Sequence, residues 1–333
     1  MDVLADLLTG ARASGGDFNQ MLLDPPWSLR IEDGAALALV CLLRGSAWVV
    51  TEGEQVPIHS GEVAVICGSE PYIVADDPET TPQLLIHPGG RCEALPGGAA
   101  GHDAPLGVRS HGTGPEAAAS VISGAYRLSV DVGRGLLAAL PRVLVVPADE
   151  VSGPLMQLLV EEIDRDEPGQ QVVLDRWLDL ALIRTLRAWF ARPESRPPGW
   201  YSAQGDQVVG SALRRLHEDP AHGWTISELA RQVGMSRAGL ARRFTALVGE
   251  PPMSYLTGWR IDLAADRLRA TDDTVETVAR AVGYANAFAL SVAFKRVRGV
   301  SPTAFRHGGS RGSERPGPAP EPGDQRPLDR LSP

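Results

Sequence analysis

Cysteine is scarce in this chain. There are three in 333 residues, Cys41, Cys67 and Cys92, far apart and odd in number. That excludes a disulfide framework and a CxxC metal knuckle. Long apolar runs are missing too, and nothing approaches the roughly 20 residues that a membrane span needs. The opening residues, MDVLADLLTGARASGG, start acidic and lack a signal-peptide layout. Positive charge is short overall, the net being −9. The rest is ordinary for a soluble protein, 43% hydrophobic and 22% charged, in a chain long enough for two domains. A cytoplasmic protein is the expectation.

The charge is unevenly spread. Residues 1–204 balance at −13, residues 205–306 at +4, and the tail from 307 at zero. Salt screens exposed charges beyond about 8–10 Å, so only the local balance bears on phosphate attraction. The basic stretch keeps a nucleic-acid partner open despite the acidic whole.

From about Trp27 to Val146, short β-rich runs alternate with Gly, Pro and Asp: WSLRIE, LALVCLLRGSAWVV, EQVPIHSGEVAVIC, PYIVAD, PQLLIHPGG and ASVISGAYRL. Such spacing predicts a β-sandwich or small barrel. Residues 152–191 turn helical. There Leu174, Trp177, Leu178, Ala181, Leu182, Thr185, Leu186 and Trp189 recur at three-and-four spacing. This stripe can bury against the protein's own core or against a second subunit, which makes a homodimer a candidate assembly. The proline-rich ARPESRPPGWYSAQGD reads as a linker. Residues 206–306 predict helix throughout, and the Pro-, Gly- and charge-rich segment beyond them predicts disorder. The chain is expected to be α+β. A β domain should span 1–150, a helical connector and linker 151–204, an all-α domain 205–306 and a tail 307–333.

The all-α zone repeats itself. TISELARQVGMSRAGLARRFTALVGEPPMSY aligns with TVETVARAVGYANAFALSVAFKRVRGVSPTAF, pairing Thr225 with Thr274, Ala230 with Ala279 and Gly234 with Gly283. One residue is then inserted, after which Leu240 pairs with Leu290, Phe244 with Phe294, Gly249 with Gly299 and Pro252 with Pro302. Repetition at this offset marks two copies of one supersecondary unit. Thr225 and Glu228 have capping-box spacing, whereas Thr274 caps without an acid at Thr277. Gly234 and Gly283 supply the positive φ that ends a helix abruptly. Leu240 and Phe244 seat a second helix on the first, leaving its outer face free for a major groove, a helix-turn-helix. Between the copies, PPMSYLTGWRIDLAADRLRAT predicts one long helix, with Pro252 in its first turn and a buried stripe of Leu256, Trp259, Leu263, Ala264 and Leu268. A rigid spacer of that kind would set two recognition helices roughly 34 Å apart, one duplex turn.

The doubled A-x-x-V-G…L-x-x-x-F…G-x-x-P pattern with its long joining helix resembles the DNA-binding domain of AraC/XylS-type transcription regulators. The likeness runs from Val208 to Arg306. The N-terminal zone resembles the cupin-like sensor domain of one AraC subgroup, through DVLADLL, LVCLLRGSAWV and SGEVAVICGSEPYIVAD. The resemblance implies a sequence-specific transcription regulator, not an enzyme, with a ligand- or stress-responsive N-terminal domain. It implies double-stranded DNA as partner, with RNA polymerase and an unidentified small-molecule effector as further candidates. The protein would sit on the nucleoid when bound.

The first recognition helix should present Ser236, Arg237, Ala238, Ala241 and Arg242. The family often places a base-contacting Arg at the position of Arg242. Arg237 suits a phosphate, and Arg243 suits a phosphate, a base or a brace. The second should present Asn286, Ala287, Phe288 and Val292, then Lys295 and Arg296, with Arg298 as a further phosphate contact. Val292 stands where Arg242 stands in the first copy. The expectation is an asymmetric reader: the first helix supplies most base specificity, the second mainly non-specific affinity.

Metal-binding cupins need two or three His and a Glu converging in the barrel. No His-x-His occurs, His59 and His87 sit at strand ends, and Tyr72 stands where related sequences often have His. No metal and no cofactor are therefore expected, and the barrel should form an apolar ligand pocket or a dimerisation platform. Cys41 and Cys67 lie in apolar strands. Cys92, beside Arg91, is the candidate redox thiolate. The rival reading is a cupin-type enzyme with an accessory helical domain.

Overall fold

The computed structural model describes Leu4 and residues 19–97, 101–107, 109–126, 134–151, 153–163, 165 and 167–308. The DVLADLL motif, apart from Leu4, and the tail expected to be disordered, from 309 onward, lie outside the described residues.

The described strands are β1 (Asn19–Leu23), β2 (Ser28–Ile31), β3 (Leu37–Arg44), β4 (Ser46–Val50), β5 (Gln55–His59), β6 (Glu62–Cys67), β7 (Tyr72–Ala75), β8 (Leu84–Ile86), β9 (Cys92–Ala94), β10 (Ser110–Gly112), β11 (Ala119–Tyr126) and β12 (Val143–Pro147). They form two six-stranded sheets, ordered β10-β1-β11-β3-β6-β12 and β5-β4-β7-β2-β8-β9. The β-rich runs read from the sequence all contain strands. The sequence reading did not single out β1, β9, β10 and β12. Two of these have only three residues, too few for alternation to show.

LALVCLLR in β3 is apolar almost throughout because both of its faces are buried. Ala38, Val40 and Leu42 face the sandwich interior with Met21, Trp27, Leu29, Ile58 and Val74. Leu37, Leu39 and Cys41 face the other way and join a core built with helices. Those helices are α1 (Arg134–Leu137), α2 (Ala148–Val151), α3 (Gly153–Ile163) and α4 (Gln170–Phe190). The stripe of α4 is used inside the chain, with Leu174, Trp177, Leu178, Ala181, Leu182, Thr185 and Leu186 all buried. Phe190 closes it in place of the expected Trp189, which is half-buried beneath the Arg192 guanidinium. The helix lies close on the sheet at Gly124, where an added Cβ would stand 2.6 Å from the Leu178 methyls.

The segment expected to be a linker is packed. It contains α5 (Gly199–Ala203), whose Trp200 and Ala203 are buried, and the Tyr201 ring packs tilted against Phe190, 4.7 Å between centroids. One turn is too short for periodicity to reveal, and the prolines around it dominate the reading.

The helical zone comprises α6 (Gln207–Glu218), α7 (Ile226–Gln232), α8 (Arg237–Val248), α9 (Pro252–Ala270), α10 (Val275–Ala281), α11 (Ala287–Arg298) and α12 (Pro302–Gly308). Asp206 caps α6, accepting from the backbone N–H of Val208 and Val209 at 3.0 and 2.9 Å. Pro252 opens α9 as expected. Its buried residues divide between two cores. Leu256 and Trp259 join the core shared by α4–α8 and the first sheet, whereas Ile261, Ala264, Ala265 and Leu268 join a separate core with Val278, Ala279, Leu290 and Phe294. Leu263, expected in the stripe, is half-buried and touches both. The second unit thus has a core of its own, and the first shares one with the β domain.

Removing Phe294, fully buried in the smaller core, by Phe294→Ala should cost about 3–5 kcal/mol. Hydrogen exchange should speed across α10, α11 and α12 while the sheets and α4 keep their protection. Equal acceleration in both cores would show them to be one unit. A pH effect attaches to Asp206. Its cap bond from Val209 chiefly, then its bond from Arg243, holds the carboxyl below the usual carboxylate value near 3.8. The folded value lies below the unfolded one, so the added stability is present above the unfolded value and lost as pH falls through the folded one. Urea melts between about pH 5 and pH 2 should show the wild type losing more stability than Asp206→Asn.

Candidate nucleic-acid interface

Both repeats begin alike. Thr225 Oγ1 accepts from the Glu228 N–H and Thr274 Oγ1 from the Thr277 N–H, each at 3.1 Å. Only half of the expected capping box forms, since the Glu228 carboxylate pairs with His222 at 2.9 Å. Gly234 and Gly283 have φ of 70° and 85°, the left-handed conformation that turns the chain. Ser236 then caps α8 and Asn286 caps α11, each accepting from the N–H three residues on. Asn286, expected as a base contact, therefore has its Oδ1 engaged as a cap. The second turn is one residue longer. There the Glu276 carboxylate accepts from the Ala287 N–H at 2.7 Å and from Arg280 at 2.9 Å, pinning the start of α11 to α10.

Leu240 and Phe244 of α8, and Leu290, Ala293 and Phe294 of α11, are buried, which directs the opposite face of each helix to solvent. On α8 the outer residues Ser236, Arg237, Ala238 and Arg242 are exposed and Ala241 is half-buried. Among the described residues, Arg237 and Arg242 have no side-chain partner. On α11 Phe288 is 79% exposed and Val292 56% exposed. Ala287 is half-buried, and Lys295 and Arg296 are exposed. Cations therefore occupy the first two turns of the outer face in α8, and the last turns in α11.

Among the cations considered for DNA, Arg243 takes the bracing alternative and Arg298 serves the fold instead. Arg243 grips Asp206 through both Nε and Nη2, at 3.0 and 2.6 Å, and so braces α8 against α6. Arg298, expected on a phosphate, is only 4% exposed and bonds Asp262 of α9 at 2.6 Å. It continues the buried row Leu290, Phe294, Arg298, four residues apart, so helical spacing assigns it to the inner face.

A further residue joins the two units and was not apparent from the sequence. Arg260, midway along α9, donates to the carbonyls of Pro220 and His222 at 2.6 and 2.7 Å, ahead of the first unit. Its guanidinium also lies 5.8 Å from the Tyr284 ring in the second unit's turn. Beside it Gly283 abuts the Ala221 carbonyl, leaving no room for a Cβ. No periodicity rule marks such a residue, because its partners are loop carbonyls.

In the sandwich, a partly open pocket of about 40 Å³ is lined from both sheets by Met21, Leu29, Val40, Tyr72 and Val121, with Asp33, His87 and Cys92 among its polar neighbours. It has room for a few waters at most. His87 pairs with Glu93 at 2.7 Å. Among the described residues, no group of three or more His, Cys, Asp and Glu could hold a metal ion. Cys41 and Cys67 are buried, and desolvation pushes the Cys67 thiol up to about 12. The expectation of an exposed, Arg-activated Cys92 is corrected. Its thiol is half-buried, burial and then Asp103 push its pKa up, and Arg91 lies 3.6 Å from Glu93. No described helix is long and apolar enough to cross a membrane.

Comparison with known proteins agrees with this architecture. The Cupin family profile matches residues 2–191, and that of a Helix-turn-helix domain matches residues 229–308. A protein described as an AraC-like transcription regulator in Streptomyces lividans is 30% identical, over 92% of this chain and 98% of its own. A counterpart with the same description in Streptomyces antibioticus is 32% identical, with the same coverage of both chains. The solved DNA-binding domain of AdpA in complex with a target DNA is 28% identical, covering 33% of this chain and 100% of that domain, at a TM-score of 0.31. With a cupin sandwich in front of two helix-turn-helix units, the chain belongs to the AraC-like transcription regulators.

Proposed function

We propose that the chain reads duplex DNA through α8 and α11 together, with hydrogen-bonded base recognition concentrated in α8, and that the cupin sandwich is its effector domain. The observation that supports this most is the unequal dressing of two otherwise equivalent helices. Arg242 stands exposed and unpaired at mid-helix in α8, where a bidentate guanine contact contributes roughly 1–3 kcal/mol of discrimination. The equivalent position of α11 is Val292, and the cations of that helix, Lys295 and Arg296, sit where they can neutralise phosphates. Ser236, Arg237, Ala238 and Ala241 complete the surface of α8, and Asn286 and Ala287 the start of α11.

An effector larger than a few waters would have to spread the two sheets, between which the pocket has only about 40 Å³. The cavity wall includes Gly124, whose other side carries Leu178 of α4, so such spreading would be felt by the helical core. A second copy of the chain would meet exposed Leu158, Val160, Val172, Val173 and Leu180, since the main stripe of α4 is already covered. RNA polymerase is the further partner that transcription regulation calls for.

Selection of bound duplexes by the full chain, followed by titration at several salt concentrations, tests the assignment. Arg242→Ala should relax sequence preference at one position by roughly 1–3 kcal/mol, whereas Lys295→Ala should weaken all duplexes alike and reduce the salt slope by about 1. Uniform weakening by Arg242→Ala would remove its reading role. Arg260→Gln should weaken a duplex carrying both half-sites by on the order of tenfold and leave a single half-site unaffected, because it loosens the phase between the units. Equal losses on both duplexes would show Arg260 to act within one unit.

A further inference from the structure

The outer face of α11 is apolar where it should carry hydrogen-bonding groups if it read bases by polar contacts. Phe288 and Val292 are four residues apart, and Lys295 follows three later, so the three form one stripe over about 10 Å of helix. Phe288, at 79% exposure, is the most exposed large hydrophobic side chain among the described residues. With Val292, 56% exposed one turn on, it makes a contiguous apolar patch, which marks an interaction surface where a lone exposed residue would not. Its equivalent in α8 is Ala238, so the shared architecture does not require it.

We propose that Phe288 and Val292 read thymine, by packing on the C5-methyl groups in the major groove of the second half-site. The inference rests on the DNA-binding reading above. Thymine alone carries a methyl group in that groove, beside its O4 acceptor, whereas the other three bases offer no methyl and present donors and acceptors that Phe and Val cannot pair. Burying a polar base edge against these side chains would leave it unsatisfied, so the stripe penalises other bases as well as favouring thymine. Charge on the same helix selects the occupant. Lys295 and Arg296 are exposed about one turn beyond Val292, where a phosphate backbone flanking the groove would meet them. An apolar protein partner would gain nothing from two cations beside the patch. The second helix therefore carries sequence information of its own, in methyl groups rather than hydrogen bonds.

The test uses the full chain and its best duplex from random-library selection. Each thymine is replaced in turn by deoxyuridine, which deletes the methyl and preserves base pairing. Thymines contacted by α11 should weaken binding about fourfold per methyl, the ~0.8 kcal/mol of one buried methyl-sized group. With Phe288→Ala that sensitivity should fall to near onefold at the same positions, while deoxyuridine elsewhere keeps its effect. Replacing cytosine by 5-methylcytosine beside the lost thymine should restore part of the affinity for the wild type alone. Circular dichroism and thermal melting verify that Phe288→Ala remains folded, as an exposed residue should. Undiminished binding to the fully substituted duplex overturns the proposal and leaves DNA binding standing. So does deoxyuridine sensitivity that persists in Phe288→Ala. A Phe288→Ala protein unchanged on DNA but defective in transcription assigns the stripe to a protein partner and equally overturns it. No preference for any duplex, even at low salt, overturns the DNA-binding reading itself.

Discussion

A single helix belonging to two cores organises the DNA-facing half of the molecule. α9 contributes Leu256 and Trp259 to one core and Ile261, Ala264, Ala265 and Leu268 to the other, so neither unit can turn without disturbing the packing of its neighbour. Nineteen residues give it about 28 Å of length, close to the ~34 Å of a duplex turn. Arg260 adds direction to that spacing by tying the loop before α7 to the turn before α11. Everything the outer faces of α8 and α11 do together depends on this shared axle.

The two recognition helices then show how one scaffold carries two chemistries. Caps, turn glycines and inner faces correspond closely: Ser236 with Asn286, Gly249 with Gly299, Phe244 with Phe294. The outer faces share almost nothing. The inner residues answer to packing, whereas the outer ones carry no such constraint within the chain.

Much of this was legible in the residues. Threonine, serine and asparagine caps, turn glycines and a repeat at an offset of 49–50 residues define the helical units from the sequence alone. The alternation of short apolar runs announces a sandwich. Legibility ended where local pattern stops determining surroundings. Arg298 read as a groove cation because a run of basic residues looks exposed, yet Asp262, 36 positions earlier in the chain, had claimed it. Arg243, open between phosphate, base and brace, is a brace on Asp206, 37 positions earlier. For Arg298 the spacing from Leu290 and Phe294 already held the answer. Arg260 held no such clue, and neither did the packed turn around Trp200. Cys92 failed for a different reason: a neighbouring arginine activates a thiol only when it points at it, and Arg91 lies against Glu93.

Of the 32 basic side chains, Lys295 is the one lysine. A guanidinium keeps its proton throughout the physiological range and resists acylation, while an ammonium can be neutralised by transfer of a single acyl group. Reagents or enzymes that modify amines thus have one side-chain target in this protein. It stands in the last turn of α11, where acylation would remove one of the two exposed cations of that outer face and leave Arg237 and Arg242 of α8 unchanged.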